Sequence, residues 1–383
     1  MTAATIAPAK AQKLPLLQHF SGLKDPRQNA KVLYPLDEIV LLLVCATIAG
    51  CDDLVEVREW GAEHLEFLRG YLPYRDEVPS HDTLGDVLAA VNAEVFKTCF
   101  TDWVKSLQSG EPDVIGIDGK TSRRTHDRGN GHKPLHLVSA WASRQRLVLG
   151  QQATEEKSNE ITAIPLLLER LVLKGSIVTI DAMGTQTEIA AKIIEKQADY
   201  CLALKENRPA LHGEVEKFFA DPEAPGVSRH ETVDGDHGRL EIRRHAVCGD
   251  IAWLFSDRRH PGELKFPGLA MIGMVENETE RDGKVSIERR YFLCSKVMAV
   301  VAFAAIVRGH WGIENRLHWV LDVIFDEDQS RLRTGFAAEN MAIFRHIAMN
   351  LMRTSKTKSS LKVRRKKAGW NTRYLADVLA GNG

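Results

Sequence analysis

The sequence predicts an α/β (α+β) fold, a mixed sheet flanked by helices and preceded by a helical N-terminal region. Three observations carry this reading. From about Leu14 to Leu107 apolar residues recur at three and four, the period of helices that bury one face. Beyond Pro112 short, nearly all-apolar runs alternate with amphipathic ones, the order of a layered sheet-and-helix domain. From Glu206 to about Lys296 the signals turn β-like and rich in turn residues.

Taken in order, residues 1–13 read as a flexible leader. Helices are expected at Leu36–Ala49, Leu54–Leu68, Asp82–Ala90 and Ala93–Leu107, with Ser80 or Asp82 capping the third. Strands follow at 114–118 (VIGID), 136–143 and 146–154, the last two joined by a turn at Arg144-Gln145. Next come a helix at Ile161–Leu173, a strand at 176–181 (SIVTID), a helix at Glu188–Lys196 and a strand at 199–205. Residues 206–296 read as an inserted, mainly β subdomain with strands near Ile242–Val247, Leu269–Val275 and Ser286–Cys294. Long helices at Ala302–Asp322 and Ala337–Met352 close the folded part, and 353–383 reads as a basic tail.

Composition excludes several classes. The chain has 383 residues, 44% hydrophobic and 27% charged, which sets it apart from disordered, collagen-like and coiled-coil sequences. Six scattered cysteines form no CxxC pair, against a disulfide framework or a thiolate zinc site. The longest apolar run, Ile39–Cys51, falls short of the roughly 20 residues that span a bilayer. The first residues lack the basic-then-apolar order of a signal peptide. A soluble, cytoplasmic protein without a membrane partner is expected.

The 51 basic and 51 acidic side chains cancel overall but not locally. Residues 1–110 carry ten basic and fifteen acidic groups, whereas 118–146 carry seven basic and two acidic ones, and 353–373 nine basic and none acidic. Local patches, not the average, attract a phosphate backbone.

Asp118 and Asp181 each close an apolar strand and are followed by small, glycine-containing sequence (Gly119; Ala182 and Gly184 around Met183). In open sheets that edge is where ligands bind. Two carboxylates side by side repel unless a cation lies between them, and hard oxygen donors with open positions suit Mg²⁺ or Mn²⁺. A third candidate, Glu314, lies on an expected helix with His310 at i−4 and His318 at i+4. A zinc site of His310, Glu314 and His318 is the alternative there, but it lacks the HExxH order. Asp322, further along, is the fallback third carboxylate.

Five words of sequence carry a resemblance: Asp118-Gly119-Lys120-Thr121; His136-Leu137-Val138-Ser139-Ala140-Trp141; Lys157-Ser158-Asn159-Glu160-Ile161; Asp181-Ala182-Met183-Gly184; and His310-Trp311-Gly312-Ile313-Glu314-Asn315 with Leu317-His318-Trp319. In this order they resemble the DDE transposases of bacterial insertion sequences, within them the H-repeat-associated family, from about Leu14 to the C-terminus. The resemblance implies a ribonuclease-H-like catalytic core at 111–352, with a β-rich insertion at about 206–296. It also implies a helical N-terminal transposase-associated domain at 14–107 and Asp118, Asp181 and Glu314 as the triad holding two Mg²⁺ (or Mn²⁺) ions. The wider superfamily places Tyr, Arg, Glu and Lys along the glutamate helix; here those positions are Val307, His310, Glu314 and Leu321, and an expected Asn-Gln pair is Asn207-Arg208.

The implied activity is binding of insertion-sequence ends, phosphodiester cleavage and strand transfer into target DNA, by a dimer on double-stranded DNA. Expected phosphate contacts are Lys120, Arg123 and Arg124 beside Asp118, His237, Arg239 and Arg243 in the insertion, His310 and His318 on the glutamate helix, and the 353–373 run. Trp253 is read either as a base-stacking side chain or as core. The rival functions are a plain ribonuclease-H-like nuclease, a catalytically lapsed DNA-binding relic, and a metal hydrolase acting on small phosphates.

Overall fold

The computed structural model describes residues 14–381 except 127–128, 130, 132, 155–158, 237–238, 256–265 and 282–283. The expected leader at 1–13 lies outside the described residues. Six helices open the chain: Pro15–Phe20 (α1), Leu36–Ala49 (α2), Leu54–Glu63 (α3), Leu65–Arg69 (α4), His81–Ala90 (α5) and Ala93–Leu107 (α6). Helix α2 is buried on all sides from Glu38 to Ile48 and stops at Gly50, whose φ of +109° closes the last turn onto the Ala46 carbonyl. Asp53 caps α3 by accepting from the Val55 and Glu56 N–H groups at 2.9 Å, and Ser80 caps α5 through Thr83. The single helix expected over 54–68 is two. The backbone of His64 leaves the helical region at φ −112°, ψ 22°, and its ring stacks on Trp60.

Seven elements then build the first half of a sheet: Val114–Thr121 (β1), His136–Ala142 (β2), Leu147–Ala153 (β3), Glu160–Arg170 (α7), Ile177–Ile180 (β4), Thr187–Glu195 (α8) and Asp199–Leu204 (β5). Strands β1, β4 and β5 run parallel, while on the other side of β1 lie β2, antiparallel to β1, and β3, antiparallel to β2. The order β3-β2-β1-β4-β5 is that of a ribonuclease-H-like core.

The segment 206–296 departs from expectation. It begins with a helix not anticipated from the sequence, Pro209–Ala220 (α9), which buries Leu211, Val215 and Phe219 at intervals of four. Four strands follow: Val227–Asp236 (β6), also not anticipated, Arg239–Cys248 (β7), Met271–Arg281 (β8) and Lys284–Cys294 (β9). They are not a separate sheet. β9 pairs antiparallel with β5, from Cys201 opposite Cys294 to Leu204 opposite Tyr291. The described strands therefore form one nine-stranded sheet, β3-β2-β1-β4-β5-β9-β8-β7-β6. The physical reason is the edge of β5, whose backbone groups would otherwise lack partners.

The remaining helices are Val300–Ile313 (α10), Trp319–Ile324 (α11), Ala337–Thr354 (α12), Leu361–Trp370 (α13) and Thr372–Leu379 (α14). Between α10 and α11 the chain makes a π turn over Glu314–His318, so the uninterrupted helix expected at 302–322 is not regular. Helix α12 packs between the N-terminal helices and β3. Its Asn350 bonds both the N–H and the carbonyl of Val148 at 2.9 Å, and its Asn340 donates to Leu88 and Val91 carbonyls at 2.8 Å. The expected tail is also folded: α14 buries Tyr374, Leu375, Val378 and Leu379, and α13 lies along α2. One contiguous apolar core reaches from Leu14 to Leu379. Among the described residues no helix is long and apolar enough to cross a membrane.

Candidate active site

Parallel pairing of β1 with β4 ends at Ile117 opposite Ile180, so Asp118 and Asp181 are the next residue on each of two adjacent strands. Asp118 does not terminate β1, as the sequence suggested; the strand continues to Thr121 against β2, with Asp118 opposite Ser139. The Asp118 carboxylate accepts from the Gly119 N–H at 2.9 Å, and that of Asp181 from Met183 and Gly184 at 3.1 and 3.3 Å. Burial pushes Asp118 up to about 7, and the neighbouring charges of Glu160, Asp181 and Glu314 push the same way, against the Gly119 hydrogen bond. Asp181 is raised as well, chiefly by burial and also by Glu160.

Glu160 is the site residue that sequence reasoning did not assign, although it stands in one of the five quoted words. It sits in the first turn of α7, buried, and pairs with His136 of β2 at 2.8 Å. His136 in turn meets the Thr121 hydroxyl at 2.7 Å. A Cβ on Gly119 would lie 2.1 Å from the Glu160 carboxylate and 2.5 Å from His136 Nε2, so the glycine makes room for this pair. A cavity of 680 Å³ opens beside it, bordered by His136, Glu160, Met183, Leu332 and Arg333.

Helix α10 reaches this edge because small residues let it close on the sheet. The Ser143 hydroxyl donates to the Gly309 carbonyl at 3.2 Å, and Gly116 of β1 faces Ile313. Glu314 begins the π turn and is exposed; its charge acts on Asp118, but among the described residues no three His, Cys, Asp or Glu side chains are gathered tightly enough to hold a metal ion. The alternative zinc site of His310, Glu314 and His318 is therefore not assembled either. His310 points into the fold, its Nδ1 2.9 Å from the Thr179 hydroxyl on β4. His318 turns toward the aspartates, its Nδ1 3.5 Å from an Asp118 oxygen. Burial pushes both imidazoles down to about 4, so they are neutral and the His318–Asp118 contact is not an ion pair. Neither offers a cation to phosphate, contrary to expectation.

Other expected contacts are also committed elsewhere. The Lys120 ammonium is nearly buried and meets Asp322 at 2.7 Å, Glu327 at 3.0 Å and Asp328 at 3.4 Å. That ion cluster removes Lys120 from the DNA-facing set and Asp322 from the role of spare ligand. Arg243 is tied to Asp234 and Glu241, both at 2.7 Å. Arg123 and Arg124 remain exposed, Arg123 linked to Asp328 by its Nε at 3.3 Å and its backbone N–H at 3.2 Å. His237 lies outside the described residues, and Arg239 is described by its backbone in β7, opposite Asp236. Trp253 stacks on Phe218 with centroids 4.8 Å apart and donates to the Asp250 carbonyl, which favours its reading as core.

The chain is thus a ribonuclease-H-like α/β protein with two adjacent aspartates on its central parallel strands. Residues 17–104 match the DDE_Tnp_1-associated family and residues 85–351 the transposase DDE domain family. The chain belongs to the transposase DDE family, in the company of its H repeat-associated members. It is 37% identical over 378 residues to the H repeat-associated protein YhhI of Escherichia coli (strain K12), covering 96% of this chain and 98% of that one. It is 40% identical over 375 residues to YncI of Escherichia coli O157:H7, covering 95% and 94%. Among solved structures, a piggyBac transposase synaptic complex with hairpin DNA aligns with a TM-score of 0.42 and 10% identity, over 94% of this chain and 76% of that one.

Proposed function

We propose that the chain binds insertion-sequence ends in double-stranded DNA and catalyses metal-dependent phosphodiester cleavage, then strand transfer into target DNA. The observation that supports this most is the juxtaposition of Asp118 and Asp181, one residue past the β1–β4 register, with burial and the neighbouring carboxylates raising the Asp118 carboxyl. The donor set fits a hard divalent cation: carboxylate oxygens oriented by backbone N–H groups. Asp118 and Asp181 would hold the Mg²⁺ or Mn²⁺ pair, with Glu314 as the third carboxylate. When bound, the two ions supply charge neutralisation for an in-line displacement at phosphorus.

The chain's own groups do the rest. Water attacks the phosphodiester at the element end and releases a 3′-hydroxyl, which then attacks target DNA. Gly119, Met183 and Gly184 N–H groups fix the two aspartates before substrate arrives. Neutral His318 fills the space beside Asp118 without adding a competing positive charge. Joining two ends calls for two such sites, so a dimer on DNA is expected, working in the cytoplasm at the nucleoid.

One assay tests the reading: purified protein, Mg²⁺, a labelled duplex bearing the terminal repeats, and a target plasmid. Joined products support transposition, cut ends alone a nuclease, and a mobility shift without cutting the lapsed relic that the outward position of Glu314 would suit. Asp118→Ala, Asp181→Ala and Glu314→Ala should each abolish cutting while leaving end binding intact. Full Mg²⁺-dependent cutting by Asp181→Ala would refute the assignment.

A further inference from the structure

The nine basic residues of 353–373 divide into two groups. Three are structural. Arg353 lies over the Trp141 ring at 4.3 Å, and Arg364 donates to the Ser359 carbonyl at 2.8 Å and to Ser355 at 3.3 Å. Arg365 is buried. Its guanidinium donates to the Thr47 and Cys51 carbonyls at the end of α2, to the Ile324 carbonyl at the end of α11, and to Asp52 at 2.8 Å, and it stacks on Phe325. A cation at two helix C-termini is well matched to both dipoles. The other six, Lys356, Lys358, Lys362, Lys366, Lys367 and Arg373, are exposed, and none is paired with a carboxylate among the described residues.

On α13, Lys362, Lys366 and Trp370 stand four apart and so share one stripe, opposite the buried Arg365 and Ala368. Trp370 is 78% exposed, the most exposed large apolar side chain among the described residues. Beside the lysines, such an indole presents a flat apolar face with a polar N–H edge, able to pack on a partner. No acidic residue occurs between 353 and 373, so the charge of this face is complementary to an anion. The chain also continues past residue 351, where the match to the DDE family ends, and α13 lies wholly beyond that point.

We propose that the outer face of α13 is a DNA-docking surface, with Lys362 and Lys366 on successive phosphates and Trp370 packed flat against the adjoining strand. The proposal rests on the reading of the chain as a DNA-processing enzyme. Its specific content is geometric. Because Arg365 ties α13 to the end of α11, which follows directly on the Glu314 turn, a duplex on this face is held at a fixed distance from the aspartate pair. The contact is electrostatic and blind to sequence, so it serves target and element DNA alike.

The test measures binding of the full-length protein to a labelled random-sequence duplex, in EDTA, across a salt series. Wild type is compared with Lys362→Ala/Lys366→Ala and with Trp370→Phe, each checked by thermal melting. The double variant should flatten the slope of log K against log salt by about 1.8, or about 0.9 per lost phosphate contact. DNA should quench indole emission in wild type and measurably less in Trp370→Phe. If wild type binds duplex and the double variant keeps its slope, the surface is refuted while the enzyme reading stands. If wild type binds no duplex at all, both fall. A concentration-dependent dimer without DNA that Trp370→Ala dissolves would assign the face to a second copy of this chain and overturn the proposal.

Discussion

At Asp118, position and charge can be separated by titration. Its folded-state value of about 7 lies above the ordinary 3.8, so the folded chain holds this proton more tightly than the unfolded one. The stabilisation is fully present below about pH 4 and is lost as pH rises toward 7. Asp118→Asn, which cannot ionise, should therefore outlast wild type by about 1–3 kcal/mol at pH 8 in EDTA, with the gap closing near pH 4 in parallel thermal melts. Mg²⁺ should raise the wild-type melting temperature at pH 8 and leave that of Asp118→Asn unmoved. That Asp118 and Asp181 lie side by side was legible in sequence because each follows an apolar run. Glu160 was not, since its place beside them depends on bringing α7 against β2. Lys120 and His310 were misjudged for the same reason: a count of charges cannot tell an exposed side chain from one drawn inside.

Among the elements, the clearest misreading concerned the C-terminus. A run with nine basic residues and no acid reads as solvated, yet the apolar positions Ala368, Tyr374, Leu375 and Val378 are spaced to bury one side of two short helices. Arg365 is the pin of that packing. Arg365→Ala should cost about 3 kcal/mol in urea unfolding, because it strips Asp52 and three helix-end carbonyls of a buried partner. Arg365→Lys should recover only part of the loss, as an ammonium cannot span all of them. Three of the four strands of 206–296 were legible one by one, but β6 and the union of the set with β5 were not. Pairing between distant strands leaves no local period in the sequence.

For the whole molecule, the sequence divided the chain into an N-terminal domain, a core and a tail, whereas one apolar core runs through all three. Lys97 of α6 is buried against Glu339 of α12 at 2.8 Å, and Phe96 packs on Phe344. A fragment 111–383 would expose the inner faces of β3 and α12. It should fail to give a cooperative thermal transition by circular dichroism, and the intact chain should melt in a single step. A well-folded fragment with native-like hydrogen-exchange protection would contradict this. Truncation is thus a poor probe of the N-terminal helices, and point changes on their exposed faces are the cleaner one.

The π turn at Glu314–His318 also changes how relatives should be compared. A π turn holds one residue more than an α turn, so everything after it is rotated by about 100° from where an unbroken α-helix would carry it. Motif positions counted in residues along this helix then fall out of phase with positions counted in angle. Asp322, not Leu321, is the side chain that meets a lysine, and that lysine comes from β1. Two relatives with identical spacing but different turns would present different faces to the aspartate pair. Structural phase, not residue count, is the coordinate in which their glutamate helices can be aligned.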